Sequence, residues 1–252
     1  MRPALRNMTT TALLSSLAFN LAAAGVVGLT VGSAFLPSRE RKVRSENQLV
    51  EVLGVPLLAA RPLAPQALAQ QLLAHWFRRG RSVLPVVSAE RGIGGTRAVA
   101  ELARALAALG ERTLLIDADF RSPGVHAEFG LRNRAGLADF LDGRGAALAH
   151  CSDNLSVLVA GRTSDDPLDL LSRPRLRALL TQAAQRYGVV LVDTPPSASG
   201  PDLQLFAAFG GGALVVTRQP ASPDKLERLR KLLAACQAQL VGTIIARHPS
   251  PA

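Results

Sequence analysis

Short apolar runs that alternate with helix-forming segments constrain the fold of this chain more than any other feature. The apolar runs lie at 83–88, 113–116, 154–159, 189–192, 213–217 and 241–246. Apolar residues at helical spacing predict helices over 96–109, 173–187 and 222–239. Continuous apolar strands joined through helices are typical of a parallel sheet that is covered on both faces. We therefore expect a Rossmann-like α/β fold with a mostly parallel sheet.

A glycine-rich loop follows the first of these strands and leads into a predicted helix. Its sequence, Ser-Ala-Glu-Arg-Gly-Ile-Gly-Gly-Thr at 88–96, is similar to phosphate-binding loops that end in Gly-Lys-Ser/Thr. In those loops backbone N–H groups cradle the phosphates and the lysine reaches the outer ones. Here a glycine occupies the lysine position, so we expect impaired chemistry in a P-loop NTPase-type fold. The predicted ligand is ATP or ADP with Mg²⁺, and the predicted binding residues are Arg91, Gly92, Ile93, Gly94, Gly95 and Thr96.

Three acidic residues, Asp117, Asp119 and Asp193, lie where apolar strands end. Ligands of open α/β sheets bind beyond the carboxyl ends of the strands, so these acids should share one edge with the loop. In phosphoryl transfer one carboxylate orients the nucleophile and another holds a metal-bound water, which predicts catalytic roles for Asp117 and Asp119. The predicted Mg²⁺ ligands are Thr96, Asp119 and Asp193. A helix-capping role is the alternative for Thr96.

The N-terminal part of the chain has the character of a membrane segment. No charged residue occurs between Arg6 and Arg39, and the apolar stretch 12–36 is long enough to span a bilayer. It would follow a short tail (1–11) and precede a juxtamembrane linker (37–63) and a P-loop domain (64–248). The alternative is a cleaved signal peptide, whose apolar region is normally shorter. Basic residues after the span favour a cytoplasmic C-terminal domain.

The charge balance argues against nucleic-acid binding. The net charge is +10, mostly from arginine, and the lysines are Lys42, Lys225 and Lys231. No cluster of basic residues interleaved with aromatic residues occurs, so we predict no nucleic-acid partner. Cys151 and Cys236 lie far apart without metal-ligand spacing and are predicted to be reduced thiols.

Several segments after the loop follow one another in a characteristic order. They lie at 110–123, where two carboxylates precede Arg-Ser-Pro, and at 129–130, 136–143, 155–161 and 193–196. In these segments the chain resembles the bacterial protein-tyrosine kinases (BY-kinases) that accompany chain-length determinant proteins in exopolysaccharide and capsule synthesis. The resemblance implies a third catalytic residue, Arg121, and a contact of Arg247 with the nucleotide base. It also implies co-polymerase and export proteins as partners, a homo-oligomer, and a single-pass location in the bacterial inner membrane.

Departures from the BY-kinase pattern indicate impaired catalysis. Gly95 replaces the loop lysine, and Tyr187 is the only tyrosine, so the C-terminal tyrosine cluster of the family is absent. Arg97 cannot substitute, because one residue turns about 100° around a helix. We therefore expect a pseudokinase that regulates or scaffolds polysaccharide chain-length control and export. One alternative is an active tyrosine kinase or ATPase that uses Arg91. The other is a MinD/ParA-like positioning ATPase, which would carry lysine in place of Glu90.

Overall fold

The computed structural model describes residues 42–54, 57–59, 65–162, 166–196 and 202–246. The predicted membrane span and the predicted base contact Arg247 lie outside these residues. In the part of the chain that the structure describes, no helix is long and apolar enough to cross a membrane. The described residues belong to a compact unit that begins at Lys42.

An eight-stranded sheet forms the centre of this unit. Its strands are β1 (Leu57–Ala59), β2 (Val83–Ser88), β3 (Thr113–Asp117), β4 (Ala149–Ser152), β5 (Leu155–Leu158), β6 (Val189–Thr194), β7 (Gly212–Thr217) and β8 (Gln239–Ile245). They are arranged in the order β1-β8-β7-β2-β6-β3-β5-β4. Neighbouring strands are parallel except for β4, which runs antiparallel to β5. The predicted mostly parallel α/β sheet is confirmed.

Helices connect these strands, and a short 3₁₀ helix (Phe77–Arg79) precedes β2. The α-helices are α1 (Glu46–Leu53), α2 (Pro65–His75), α3 (Gly95–Ala108), α4 (Val125–Glu128), α5 (Leu137–Leu141), α6 (Pro167–Leu171), α7 (Pro174–Arg186), α8 (Asp202–Gly210) and α9 (Pro223–Ala235). The helices predicted from the sequence correspond to α3, α7 and α9, with ends that differ by a few residues.

Both faces of the sheet are buried, which explains why its strands are apolar along their whole length. Successive residues of a strand point to opposite faces. Leu191 of β6 belongs to an apolar cluster with side chains of α2 and α3. Its neighbours Val190 and Val192 belong to a second cluster with side chains of α5, α6, α7 and α8. The helices therefore cover both faces, as predicted.

Helix α1 lies in the segment that the sequence predicts to be a linker. A capping box begins it: Gln48 N donates to Ser45 Oγ at 3.2 Å, and Ser45 N donates to Gln48 Oε1 at 3.4 Å. Leu49 and Leu53 are buried in a cluster with side chains of α9 and β8. The compact unit thus includes residues ahead of the predicted start of the P-loop domain.

Candidate nucleotide-binding site

The glycine-rich loop connects β2 to α3 near the middle of the sheet. Its start is held to β7, because Ala89 N donates to the carbonyl of Val216 at 2.8 Å. Gly92 and Gly94 have φ angles of 72° and 85°, a left-handed conformation that strains residues with a Cβ atom. Gly94 is the N-cap of α3 and makes no side-chain capping bond. The first N–H groups of the helix therefore remain available to a bound anion.

Thr96 is the second residue of α3, so the structure contradicts the capping alternative: Gly94 is the N-cap. The side chain of Thr96 lies against the turn after β3, where a Cβ on Gly124 would be 3.1 Å from its Cγ2. The hydroxyl of Thr96 lies close enough to Asp193 to oppose the rise that burial causes in the pKa of that carboxyl. Thr96 thus stands between the segments that carry the predicted acids.

Asp117 is fully buried at the end of β3 and organises the turn that follows. Its Oδ1 accepts from Asp119 N at 3.1 Å, and its Oδ2 accepts from Gly124 N and Val125 N at 3.1 Å each. Burial raises the pKa of Asp117 to about 6, although these backbone bonds oppose the rise. Asp117 is therefore a buried carboxyl group that fixes the backbone of the turn after β3.

Asp193 and Asp117 are register partners on adjacent strands, so their carboxyl groups share one place at the sheet edge. Burial, followed by the charge of Asp117, raises the pKa of Asp193 well above its ordinary value. Its Oδ2 is buried without a hydrogen-bond partner among the described residues. Asp119 also lies here, and its Oδ1 accepts from Arg121 N at 3.1 Å and Ser122 N at 2.9 Å. Burial raises the pKa of Asp119 as well.

This arrangement fits a Mg²⁺ ion that arrives with a nucleotide. Among the described residues, no group of three or more His, Cys, Asp and Glu side chains is arranged to hold a metal by itself. Mg²⁺ in kinase and ATPase sites needs only one or two protein ligands, because phosphates and water complete its shell. The Oδ2 of Asp193, which has no hydrogen-bond partner among the described residues, and the nearby hydroxyl of Thr96 would supply such ligands. The assignment of Thr96, Asp119 and Asp193 to the metal remains a prediction.

Two arginines bridge the parts of the site. Arg91 Nη1 donates to Ser122 Oγ at 3.3 Å, and the charge of Arg91 opposes the rise in the pKa of Asp119. Arg91 therefore reaches from the loop to the turn that carries the acids. Arg121 forms an ion pair with Asp202, a buried carboxylate at the start of α8.

Arg97 pairs with Glu101 one helical turn further along α3, at 3.0 Å, and its side chain is 73% exposed. The predicted direction of Arg97, away from the loop, is confirmed. Gly95, the first residue of α3, has a tight environment: a Cβ there would lie 1.8 Å from Ser88 Oγ and 3.2 Å from Ser88 Cβ. Any side chain at position 95 therefore requires Ser88 to adopt another rotamer.

The sequence did not predict a second charged cluster beside the loop. Glu90 Oε2 lies 3.2 Å from Arg218 Nη2 and 3.6 Å from Lys225 Nζ. Arg218 follows the last residue of β7, so the rule that sites form at strand carboxyl ends could have found it. Lys225 lies in the first turn of α9 and had no comparable signal.

The glycine loop, the acids at adjacent strand ends and the parallel sheet together form an α/β domain with a loop of the phosphate-binding type. No family model matches the chain. The tyrosine-protein kinase YwqD of Bacillus subtilis is 33% identical over 173 residues, which cover 67% of this chain and 73% of YwqD. The tyrosine-protein kinase wzc of Salmonella typhimurium is 33% identical over 142 residues, or 54% of this chain and 20% of wzc. The chain belongs to the bacterial tyrosine-protein kinase family of capsule and exopolysaccharide systems.

Solved structures agree at the level of the fold. The kinase domain of the Escherichia coli tyrosine kinase ETK has a TM-score of 0.75 at 24% identity and covers 83% of this chain and 97% of that chain. The chimerical protein CapA2B2 has a TM-score of 0.74 at 24% identity, with 82% and 100% covered. The cell division ATPase MinD of Pyrococcus furiosus has a TM-score of 0.57 at 21% identity, with 68% and 73% covered.

Proposed function

We propose that this chain is a catalytically impaired BY-kinase-like protein that binds a Mg²⁺-nucleotide and regulates or scaffolds polysaccharide chain-length control and export. One observation carries the proposal. The loop has the left-handed glycines of a phosphate cradle, and it leads into a helix N-terminus without a side-chain cap. Gly95 places no side chain where the sequence pattern expects lysine. Phosphates can bind to such backbone N–H groups without the lysine.

The missing cation matters more for transfer than for binding. Phosphoryl transfer is catalysed almost entirely by positioning and electrostatic stabilisation. Removal of a single neutral oxyanion donor from an enzyme site costs on the order of 10² to 10³ in rate, and a lost positive charge should cost at least as much. We therefore expect a nucleotide-binding protein with little kinase activity.

The roles proposed for the acids follow from their surroundings. Asp117 accepts backbone hydrogen bonds in the turn after β3, and Asp119 lies near enough to Arg91 for that positive charge to oppose the rise in its pKa. Asp193, with Thr96, would hold Mg²⁺. A bound Mg²⁺ would offset the negative charge of the phosphates. It would also reduce the electrostatic repulsion among the three carboxyl groups at the carboxyl ends of β3 and β6.

Calorimetric titration of Mg·ATP and Mg·ADP into the full chain in detergent micelles tests this proposal. The native chain is compared with Gly95→Lys and with Gly95→Met, because both variants require the same movement of Ser88 but only one adds charge. We expect Gly95→Lys to bind at least tenfold more tightly than Gly95→Met. Native phosphoryl transfer to a tyrosine-containing protein at the rate of Gly95→Lys would refute the impaired-kinase proposal.

An active kinase or ATPase that uses Arg91 is the second candidate. The hydrogen bond from Arg91 to Ser122 and its effect on Asp119 favour it, since they place a loop cation across the site. For this candidate, Arg91→Ala should abolish phosphoryl transfer by the native chain, and Arg91→Lys should restore part of it. If native transfer is absent at the start, the candidate fails.

The remaining parts of the proposal concern location and partners. We propose that 12–36 spans the inner membrane, that the domain is cytoplasmic, and that it meets co-polymerase and export proteins, a second copy of itself, or both. Alkaline extraction tests the span, since a transmembrane protein stays with the membrane pellet. Release from the membrane on nucleotide hydrolysis would instead favour the MinD/ParA-like alternative.

A further inference from the structure

Two cations compete for one carboxylate oxygen beside the phosphate loop. Arg218 Nη2 and Lys225 Nζ lie 3.2 Å and 3.6 Å from the same Oε2 atom of Glu90. One carboxylate balances only one of the two positive charges. The cluster therefore carries a net charge of about +1 next to a loop that has no lysine of its own.

The backbone holds this cluster at the loop. Arg218 directly follows β7, and the carbonyl of Val216 in that strand accepts from Ala89 N at the start of the loop. Ala221, between the two cations, pairs with Val43 through hydrogen bonds of 2.8 and 2.9 Å. The segment that carries both cations is thus held at its start by the sheet and in its middle by the chain ahead of α1.

In this cluster the carboxylate is mostly buried, whereas the two cations are about half exposed and can contact an anion from solvent. The carboxyl side chain of Glu90 is 17% exposed, whereas Arg218 and Lys225 are 47% and 52% exposed. Long cationic side chains of this kind can move their charged ends between nearby anions. Glu90 can therefore keep the two cations near the loop while their charged ends remain accessible to a ligand.

We propose that Arg218 and Lys225 form a phosphate-binding pair that supplies the positive charge absent from position 95, and that Glu90 holds the pair at the loop until an anion binds. The ligand is the di- or triphosphate group of the nucleotide. This inference rests on the proposed function, because it needs a nucleotide at the loop. It adds the residues that contact the outer phosphates, which the family pattern assigns to lysine.

Binding of Mg·ADP and of inorganic pyrophosphate to the full chain in detergent, measured by calorimetry at low and high salt, tests the pair. Arg218→Ala should weaken both affinities at least tenfold and reduce their salt dependence, while Arg218→Lys should recover part of the loss. Glu90→Gln should tighten binding, because it frees both cations. Arg97→Ala is the matched control, an exposed ion-paired arginine that points away from the loop, and should bind like the native chain.

Three outcomes overturn the inference: no binding by the native chain, an Arg218→Ala variant that binds as tightly as native, or a Glu90→Gln variant that binds more weakly. A circular dichroism spectrum for each variant identifies losses of affinity that come from misfolding. If Arg218→Ala misfolds, the affinity of Arg218→Lys decides the test, because the inference expects it to bind nearly as well as the native chain. Phosphoryl-transfer activity of the native chain would overturn the impaired-kinase proposal and leave this result unaffected. No binding by the native chain would overturn the proposed function as well, whereas a native-like affinity of Arg218→Ala would overturn this inference alone, so the two failures are distinguishable.

Discussion

The buried carboxylates predict that acidification stabilises the nucleotide-free fold. The pKa of Asp117 rises from 3.8 to about 6 on folding, chiefly through burial. The folded state then binds more protons than the unfolded state between these values, so stability falls as pH rises through this window. A rise of this size in the pKa corresponds to about 3 kcal/mol of the free energy of unfolding, most of which is regained when the carboxyl group is protonated. Between pH 7 and pH 4.5 Asp117 alone should add about 2 kcal/mol to the free energy of unfolding.

The measurement is denaturant unfolding of the full chain in detergent, with a chelator present, at pH 7 and pH 4.5. Asp193 and Asp119 act in the same direction, because burial raises the pKa of each. Asp142 and Glu227 act in the opposite direction, since arginine partners lower the pKa of each carboxyl. Both of these are surface groups that contribute little.

Asp117→Asn isolates the contribution of one carboxyl. This variant loses acceptor capacity in the turn, so its stability should be lower, but its dependence on pH should be flatter than that of the native chain. Asp153→Asn, at an exposed position, should keep the native pH dependence. The reasoning is refuted if the native chain becomes more stable from pH 4.5 to pH 7, or if Asp117→Asn has an unchanged pH profile.

Further predictions concern packing and the loop. Gly94→Ala should cost about 1–2 kcal/mol of stability by strain at φ 85°, and should weaken Mg·ADP binding in calorimetry; native affinity would contradict it. Leu49→Ala should cost about 2–5 kcal/mol in denaturant unfolding, whereas Val50→Ala, on the exposed side of α1, should cost little. Arg121→Ala leaves Asp202 buried without its ion partner and should cost about 3–5 kcal/mol, most of which the added change Asp202→Asn should recover.

The central strands could be predicted because both faces of the sheet are buried, which makes their sequences apolar throughout. The edge strand β4 escaped prediction for the opposite reason: its residues are largely exposed and carry no apolar pattern. Helix α1 was assigned to a linker because it buries only Leu49 and Leu53. Its capping box was present in the sequence and was the signal that could have identified it.

The candidate site divides in the same way. Asp117, Asp119 and Asp193 could be placed together because parallel strands bring their carboxyl ends to one edge. The pairing of Glu90 with Arg218 and Lys225 depends on the adjacency of β2 and β7, which are distant in sequence. Strand order is a tertiary property, and local periodicity does not encode it. The strand-end rule could have indicated Arg218 as a site residue, but its pairing with Glu90 across this boundary is accessible only from the structure.

The two halves of the site have opposite electrostatic demands. On the side of β3 and β6, three carboxylates crowd together with raised pKa values and one unpartnered oxygen, which favours a cation. On the side of β7, the positive charges of Arg218 and Lys225 exceed the negative charge of Glu90, a residue of the loop that leads into α3, and this excess favours an anion. A Mg²⁺-nucleotide carries both charges in one ligand and would satisfy both sides at once, in line with the proposed function. The proposed binding of a Mg²⁺-nucleotide therefore does not require a lysine at position 95, because charges of both signs are present elsewhere around the loop.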